Sequence, residues 1–249
     1  MHMRTFTVVL ISLLAAPGIC IAQDAKKPPA TEFSGDVGFV SVSGNTSITT
    51  LNAGEKLVRR IAPWEFKQDL GVVYGKTEGT ESSNLWRTSV RADYGLGKHF
   101  AVYGRTAFDR DKFAGIKSRF AEGLGGVAKI LASNVDQLNL EAGFEITQQK
   151  NLDATDDNFT ALRAATTWKH NFTKTAYAFQ GVEVLPNLDD SKDLRVNAET
   201  ALVAPLSTHV AMKLSYQVHF DNEPALNAAG TAPLRKSDRI LSTGIQIAF

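Results

Sequence analysis

The chain has a single cysteine, Cys20, inside an apolar run near its first residue. One thiol cannot form an intrachain disulfide, and a cut just beyond that run leaves no cysteine at all, which excludes a disulfide framework and thiolate chemistry. Charge of one sign is missing as well: 27 Lys and Arg stand against 26 Asp and Glu, a formal net charge of +1. That balance excludes a strongly basic nucleic-acid binder. After residue 22 no apolar run approaches the roughly 20 residues that a spanning helix needs. Any membrane crossing must therefore be made by strands. No cofactor motif and no metal-ligand spacing is present, and the acidic stretch Asp153 to Asn158 lacks the glycine and closing glutamate of an EF-hand loop.

What is present begins with the parts of a secretory signal peptide over 1–22: Arg4, the apolar stretch Phe6 to Ala16, and Cys20 and Ala22 placed for a cut between Ala22 and Gln23. A lipoprotein cut at Cys20 fits less well, because Ile19 stands where a small residue is expected. Residues 23–31, with Lys26-Lys27-Pro28-Pro29, read as a flexible leader, and 32–249 as one domain.

From Phe33 onward the chain falls into about twelve segments of about ten residues, a strand length that crosses a bilayer at a tilt. Trp64, Phe66, Gln68, Leu70, Val72 and Tyr74 share one face of an extended segment, against Glu65, Lys67, Asp69 and Gly71 on the other. The stretches from Trp86, Leu138, Leu194 and Val210 repeat this alternation, whereas those around Arg119 to Leu131 and Lys174 to Leu185 keep it poorly. In the former, Glu122 shares a face with Phe120 and Leu124. Compact connections such as Gly97-Lys98 alternate with long polar ones: 76–83, 110–117, 148–157, 186–192 and 222–235. Trp64, Tyr74, Trp86, Tyr94, Phe100, Trp168, Phe220 and Phe249 fall near segment ends, where interfacial girdles need aromatics. In the last segment Leu241, Thr243, Ile245, Ile247 and Phe249 share a face. That ending resembles the terminal strand of bacterial outer-membrane barrels, whose final aromatic is read by the barrel-insertion machinery. The expectation is an all-β, transmembrane antiparallel β-barrel of about twelve strands, with both termini on the periplasmic side and with outer-membrane lipid and lipopolysaccharide around it.

Three stretches carry a closer resemblance: Phe33-Ser34-Gly35-Asp36-Val37-Gly38 with Ser43-Gly44-Asn45-Thr46-Ser47, Phe108-Asp109-Arg110-Asp111-Lys112-Phe113-Ala114-Gly115-Ile116, and Tyr216 to Pro224. Together they resemble the salt-induced outer-membrane protein family, which is built on domain of unknown function 481. The resemblance implies the barrel and an envelope role linked to salt or osmotic stress. It implies no chemistry.

Polar faces decide what such a barrel does. Lys67, Arg87, Arg91, Arg105, Arg163, Arg195 and Lys213 would face the lumen with Asp69, Asp93, Asp109, Glu141, Glu145, Glu199, His219 and Asp221. Nearly balanced signs can cross-pair between neighbouring strands and fill the interior, whereas one dominant sign would select counter-ions. Twelve strands lie between filled eight-stranded barrels and wide porins of 16 or more. The leading expectation is a narrow channel for ions or small solutes, followed closely by a non-conducting structural or stress-response barrel. An outer-rim hydrolase is the least favoured: His219 lies two residues from Asp221 with Ser237 and Asp238 on the next segment, yet no nucleophile motif surrounds Ser237. No enzyme, cofactor or nucleic-acid partner is expected.

Overall fold

A strand whose residues alternate between apolar and polar must bury one face or submerge the other, and closing the sheet on itself does this with no unpaired edge. In the computed structural model, which describes residues 29–42, 48–227 and 229–248, the chain takes that solution. Residues 1–22 with the Ala22 to Gln23 cut, residues 23–28, the short connection 43–47 and Phe249 lie outside the described residues. The strands are β1 Thr31–Val42, β2 Ile48–Ile61, β3 Trp64–Thr77, β4 Thr80–Gly95, β5 Phe100–Asp111, β6 Ile116–Ala132, β7 Asp136–Asn151, β8 Asp156–Asn171, β9 Tyr177–Pro186, β10 Leu194–Pro205, β11 Val210–Asp221 and β12 Ser237–Ala248. Each pairs antiparallel with its neighbours in sequence, and β1 pairs with β12 from Ser34↔Ala248 to Val37↔Ile245, which closes the barrel.

The outer face carries the apolar set. Phe39 is 65 % exposed, Leu124 71 % and Leu241 68 %, and Ile245 and Ile247 lie on the same side as Leu241. At about 25 cal/mol per Å² of apolar surface, a belt of this extent is unfavourable against water and far exceeds the few hundred Å² patch of an ordinary soluble monomer. At the short-turn end Trp64 packs edge-on against Tyr94 with ring centres 5.0 Å apart, and His170 sits 4.8 Å from Phe172, forming part of an aromatic rim. Two carboxylates interrupt the belt. Glu55 accepts a 3.5 Å hydrogen bond from Gln68, and Glu122 is exposed between Thr106 and Ile146 in register, so it shares its face with Phe120 as its position in the sequence requires.

The connections at the loop end are shorter than their polarity predicts. The β3–β4 connection, expected over 76–83, is a turn at Glu78-Gly79 with positive φ at both residues (51° and 75°), the pairing that a two-residue hairpin uses. Strand β4 therefore runs six residues past Trp86, and β5 to β8 project in the same way. In these ends both faces are polar, so the two-residue signal fades although the backbone ladder continues. The resemblance motif at 108–116 forms the β5–β6 turn. Asp111 accepts backbone N–H groups of Phe113 and Ala114 at 3.1 Å each, and Gly115 takes φ 74°, where a side chain would be strained. Among the described residues only the β11–β12 connection is long, and it crosses the mouth: Leu234 and Ala225 pack against Gly115, on the side of the ring opposite to β11 and β12.

Candidate functional site

The lumen contains nearly all the charge that the sequence places on polar faces, and its two halves differ. From mid-barrel to the short-turn end it is crossed by one chain of ion pairs. Arg91 on β4 binds Asp93 at 2.7 Å on its own strand and reaches Glu141 on β7, also at 2.7 Å. Arg163 on β8 holds the same Glu141 oxygen at 2.7 Å and Glu183 on β9 at 2.6 Å. Arg105 on β5 bridges Glu145 at 3.0 Å and Glu183 at 3.4 Å. Lys67 extends the chain from Asp93 (3.1 Å) to Glu65 (2.9 Å), and Arg60 continues it to Glu32 (2.8 Å).

Tyr103 sits at the centre of this assembly. Its ring lies under the Arg91 guanidinium at 4.0 Å, and its hydroxyl accepts a 2.9 Å hydrogen bond from Arg163. The ring fits because Gly125 and Gly143 pair across β6 and β7: a Cβ on Gly125 would stand 2.6 Å from the Tyr103 hydroxyl, and one on Gly143 would stand 2.4 Å from the Leu124 carbonyl oxygen. Below, Tyr177 bonds Gln246 across the lumen at 3.3 Å, and the Lys56 ammonium lies over the Phe179 ring at 5.3 Å. These inward aromatics are why β9 alternates poorly in sequence.

Toward the loops the lumen opens into a cavity of about 400 Å³. Arg87, Asp109, Arg119, Arg195, His219 and Asp221 line it, as do Asp69, Glu199 and Lys213 nearer mid-barrel. Arg119 donates to Gln149 at 2.7 Å and lies 3.5 Å from Asp109. Arg195 binds Asp193 at 2.9 Å, lies 3.8 Å from Asp221 and stacks on Phe159 at 3.8 Å. Lys213 pairs with Asp36 at 2.9 Å. Arg87, exposed in this half, has no carboxylate within 4 Å among the described residues.

The fifteen lumen residues expected from the sequence all lie on this surface or in the ion-pair chain; several pair between neighbouring strands as expected, and others reach farther across the lumen. Neighbouring strands place like charges side by side: Lys67 faces Arg91, Arg91 faces Arg105, and Glu65 faces Asp93 in register. Such neighbours repel, and the charges are satisfied by other partners: on an adjacent strand (Lys67–Asp93, Arg163–Glu141, Arg163–Glu183), along the same strand (Arg91–Asp93) or farther across the lumen (Arg91–Glu141, Arg105–Glu183). The rim grouping with Ser237 does not form. His219 Nδ1 meets Asn197 Oδ1 at 2.8 Å, while Ser237 pairs with Phe220 and so lies on the opposite face from His219. Asn197 in turn donates to Glu183 at 2.9 Å, which fixes its amide and makes His219 Nδ1 the donor.

A sequence profile described as "Protein of unknown function, DUF481" matches residues 35–249. The chain belongs to the DUF481 family. Its curated relatives include an uncharacterized protein of Escherichia coli K12, YdiY, 24 % identical over 211 residues that cover 82 % of this chain and 79 % of that one. Among solved structures, a NanC porin superposes with a TM-score of 0.52 at 9 % identity, covering 86 % of this chain and 98 % of that one. The translocator domain of the autotransporter NalP from Neisseria meningitidis gives a TM-score of 0.48 at 10 % identity, covering 89 % and 88 %. The porin likeness bears on the fold, a twelve-stranded closed barrel of outer-membrane kind.

In this DUF481 barrel the central residues that sequence reading missed are Tyr103, Arg119 and Glu183. Each lies at an inward position an even number of residues from another inward one: Tyr103 before Arg105, Arg119 before Gly123, Glu183 after Gly181. Counting by twos along those strands would have found them.

Proposed function

We propose that the protein is a narrow channel of the outer membrane, with its short turns in the periplasm and its longer loops outside, that passes ions or small polar solutes. The observation carrying this reading is the nature of the obstruction. The loop-side half is an open polar cavity, and what closes the rest is side chains joined by ion pairs, with no segment of backbone folded into the lumen among the described residues. Side-chain ion pairs exchange partners and admit water, so a constriction built from them can pass small species while excluding large ones. The apolar outer belt supplies the lipid contact, and β12 with Leu241, Thr243, Ile245 and Ile247 facing outward supplies the insertion signal, completed by Phe249. An envelope role under salt or osmotic stress follows from the family resemblance.

A second reading, a non-conducting structural barrel, is favoured by the same cross-lumen pairs, which would seal the bore if they stay closed. Single-channel recording on the refolded protein in planar bilayers separates the two. Discrete steps that grow when Glu141 and Arg163 are together changed to alanine support the channel. Silence from both the folded parent and the folded double variant overturns it.

A further inference from the structure

Below mid-barrel Arg91, Arg105, Arg163, Lys67 and Arg60 each have a carboxylate within 3.4 Å, and Lys56 and Lys169, which have none among the described residues, lie over the Phe179 and Tyr177 rings instead. Arg87, four residues from Arg91 on the same strand, has none within 4 Å among the described residues. Its in-register neighbours explain why. On β5 it faces Asp109, whose nearest cation is Arg119 at 3.5 Å, and on β3 it faces Gly71, around whose inner side a Cβ would meet nothing within 4 Å. Arg87 therefore stands beside empty space in the cavity wall. Two strands round on the same side is Arg119, in register through Asp109 and held by Gln149, and on the far side is His219, whose Nδ1 is engaged by Asn197.

We infer that Arg87 forms a binding subsite for a small singly charged carboxylate entering from the loop side, with Arg119 two strands away on the same side and His219 on the facing wall. This rests on the channel reading for its route but not for its chemistry. A guanidinium is always charged, and its planar fork matches a carboxylate in a two-point contact that an ammonium does not offer. With Asp109 in register and Asp111 near enough to feel its charge, Arg87 still has no carboxylate in contact among the described residues, and a cation without a contacting partner in a cavity with low-dielectric walls attracts anions. The acids that line the cavity, among them Asp109, Asp111, Asp221 and Asp238 toward the loops and Asp69 and Glu199 deeper, oppose a multiply charged anion and provide acceptors for hydroxyl or amino groups on a singly charged one. The cavity of about 400 Å³, crossed by 222–236 at its mouth, limits the size.

The test is equilibrium binding of isotopically labelled acetate to the full refolded barrel in detergent, followed by NMR line broadening, with reversal potentials in bilayers alongside. Arg87→Gln should weaken acetate binding about tenfold or more and shift the reversal potential toward cation preference. Arg87→Lys, which keeps charge but not the fork, should fall between. Arg110→Gln, at the same height on the outer face beside Trp86 in register, should change neither. Because Arg87 holds no ion pair, its variants are expected to fold, and heat-modifiable gel mobility verifies it. Equal acetate binding by the parent and Arg87→Gln, or no binding by the parent, overturns the subsite. A barrel that binds acetate through Arg87 yet never conducts overturns the channel and leaves the subsite standing.

Discussion

Arg91 and Arg87 lie four residues apart on one strand and face one lumen, yet they meet opposite surroundings. Arg91 is enclosed by Asp93, Glu141 and the Tyr103 ring. Arg87 looks into a cavity across a glycine. The difference comes from the wall opposite. Below, Tyr103, Tyr177 and Phe179 bring bulk inward and shorten the gap that a guanidinium must span, so its carboxylate can come from a strand three positions away round the ring. Above, Gly54 and Gly71 thin the wall, and charges pair locally or not at all. Burying charges is costly unless each is paired and hydrogen-bonded. The filled half meets that condition through its network and, at Lys56 and Lys169, through ring faces, while the open half keeps local pairs such as Arg195–Asp193 and Lys213–Asp36.

This contrast predicts unequal responses to matched changes. Gly143→Val and Gly71→Val add the same atoms to inward positions. The first places a Cβ 2.4 Å from the Leu124 carbonyl and crowds Tyr103, and should cost about 3 kcal/mol or more, seen as loss of the heat-modifiable folded band. The second meets open space and should fall within about 0.5 kcal/mol of the parent in urea titration. Should both behave alike, the division of the lumen would be wrong.

Glu141→Gln keeps the shape but removes the charge that holds both Arg91 and Arg163, so about 3 kcal/mol should be lost and open-channel noise should rise. Glu199→Gln, with no ion pair within 4 Å among the described residues and a place on the cavity wall, should cost under about 1 kcal/mol. Denaturation midpoints of the two variants measured side by side decide this.

The smallest effect lies outside the barrel wall, in the β7–β8 turn. The Thr155 hydroxyl and backbone N–H donate to Asp153 at 2.6 and 3.0 Å and hold its carboxyl below the usual carboxylate range. A depressed folded value means that the contribution to turn order is present above the ordinary aspartate range and is lost as pH falls through the folded value. NMR titration should show the Thr155 amide changing at lower pH than an unbonded aspartate would impose, and Asp153→Asn should remove that transition while leaving barrel stability unchanged.

Legibility in the sequence followed the physics of each signal. Strand number and facing were readable wherever one face was apolar, as from Trp64 to Tyr74, because side-chain direction is fixed locally by the pleat. Strand length at the loop end was not, because from Thr80 to Leu85 only Leu85 is strongly apolar and a ladder of backbone hydrogen bonds leaves no mark on side-chain type. β9 was obscured by its inward Tyr177 and Phe179, and with it Glu183, the carboxylate shared by Arg105 and Arg163.

The amino-acid order alone settled that this chain makes about twelve two-faced strands with charge on one side and apolar groups on the other, since each of those properties depends on a residue and its neighbours two away. Closure decided which charges meet. In register Arg91 faces Arg105 and Lys67, and its partner Glu141 is fifty residues on, reachable only once the sheet curves round and brings β4 opposite β7. The same curvature carries Leu234 and Ala225 onto Gly115 and leaves Arg87 with no carboxylate within 4 Å among the described residues. Coulomb attraction acts through space, and no spacing along the chain encodes the distance across a lumen.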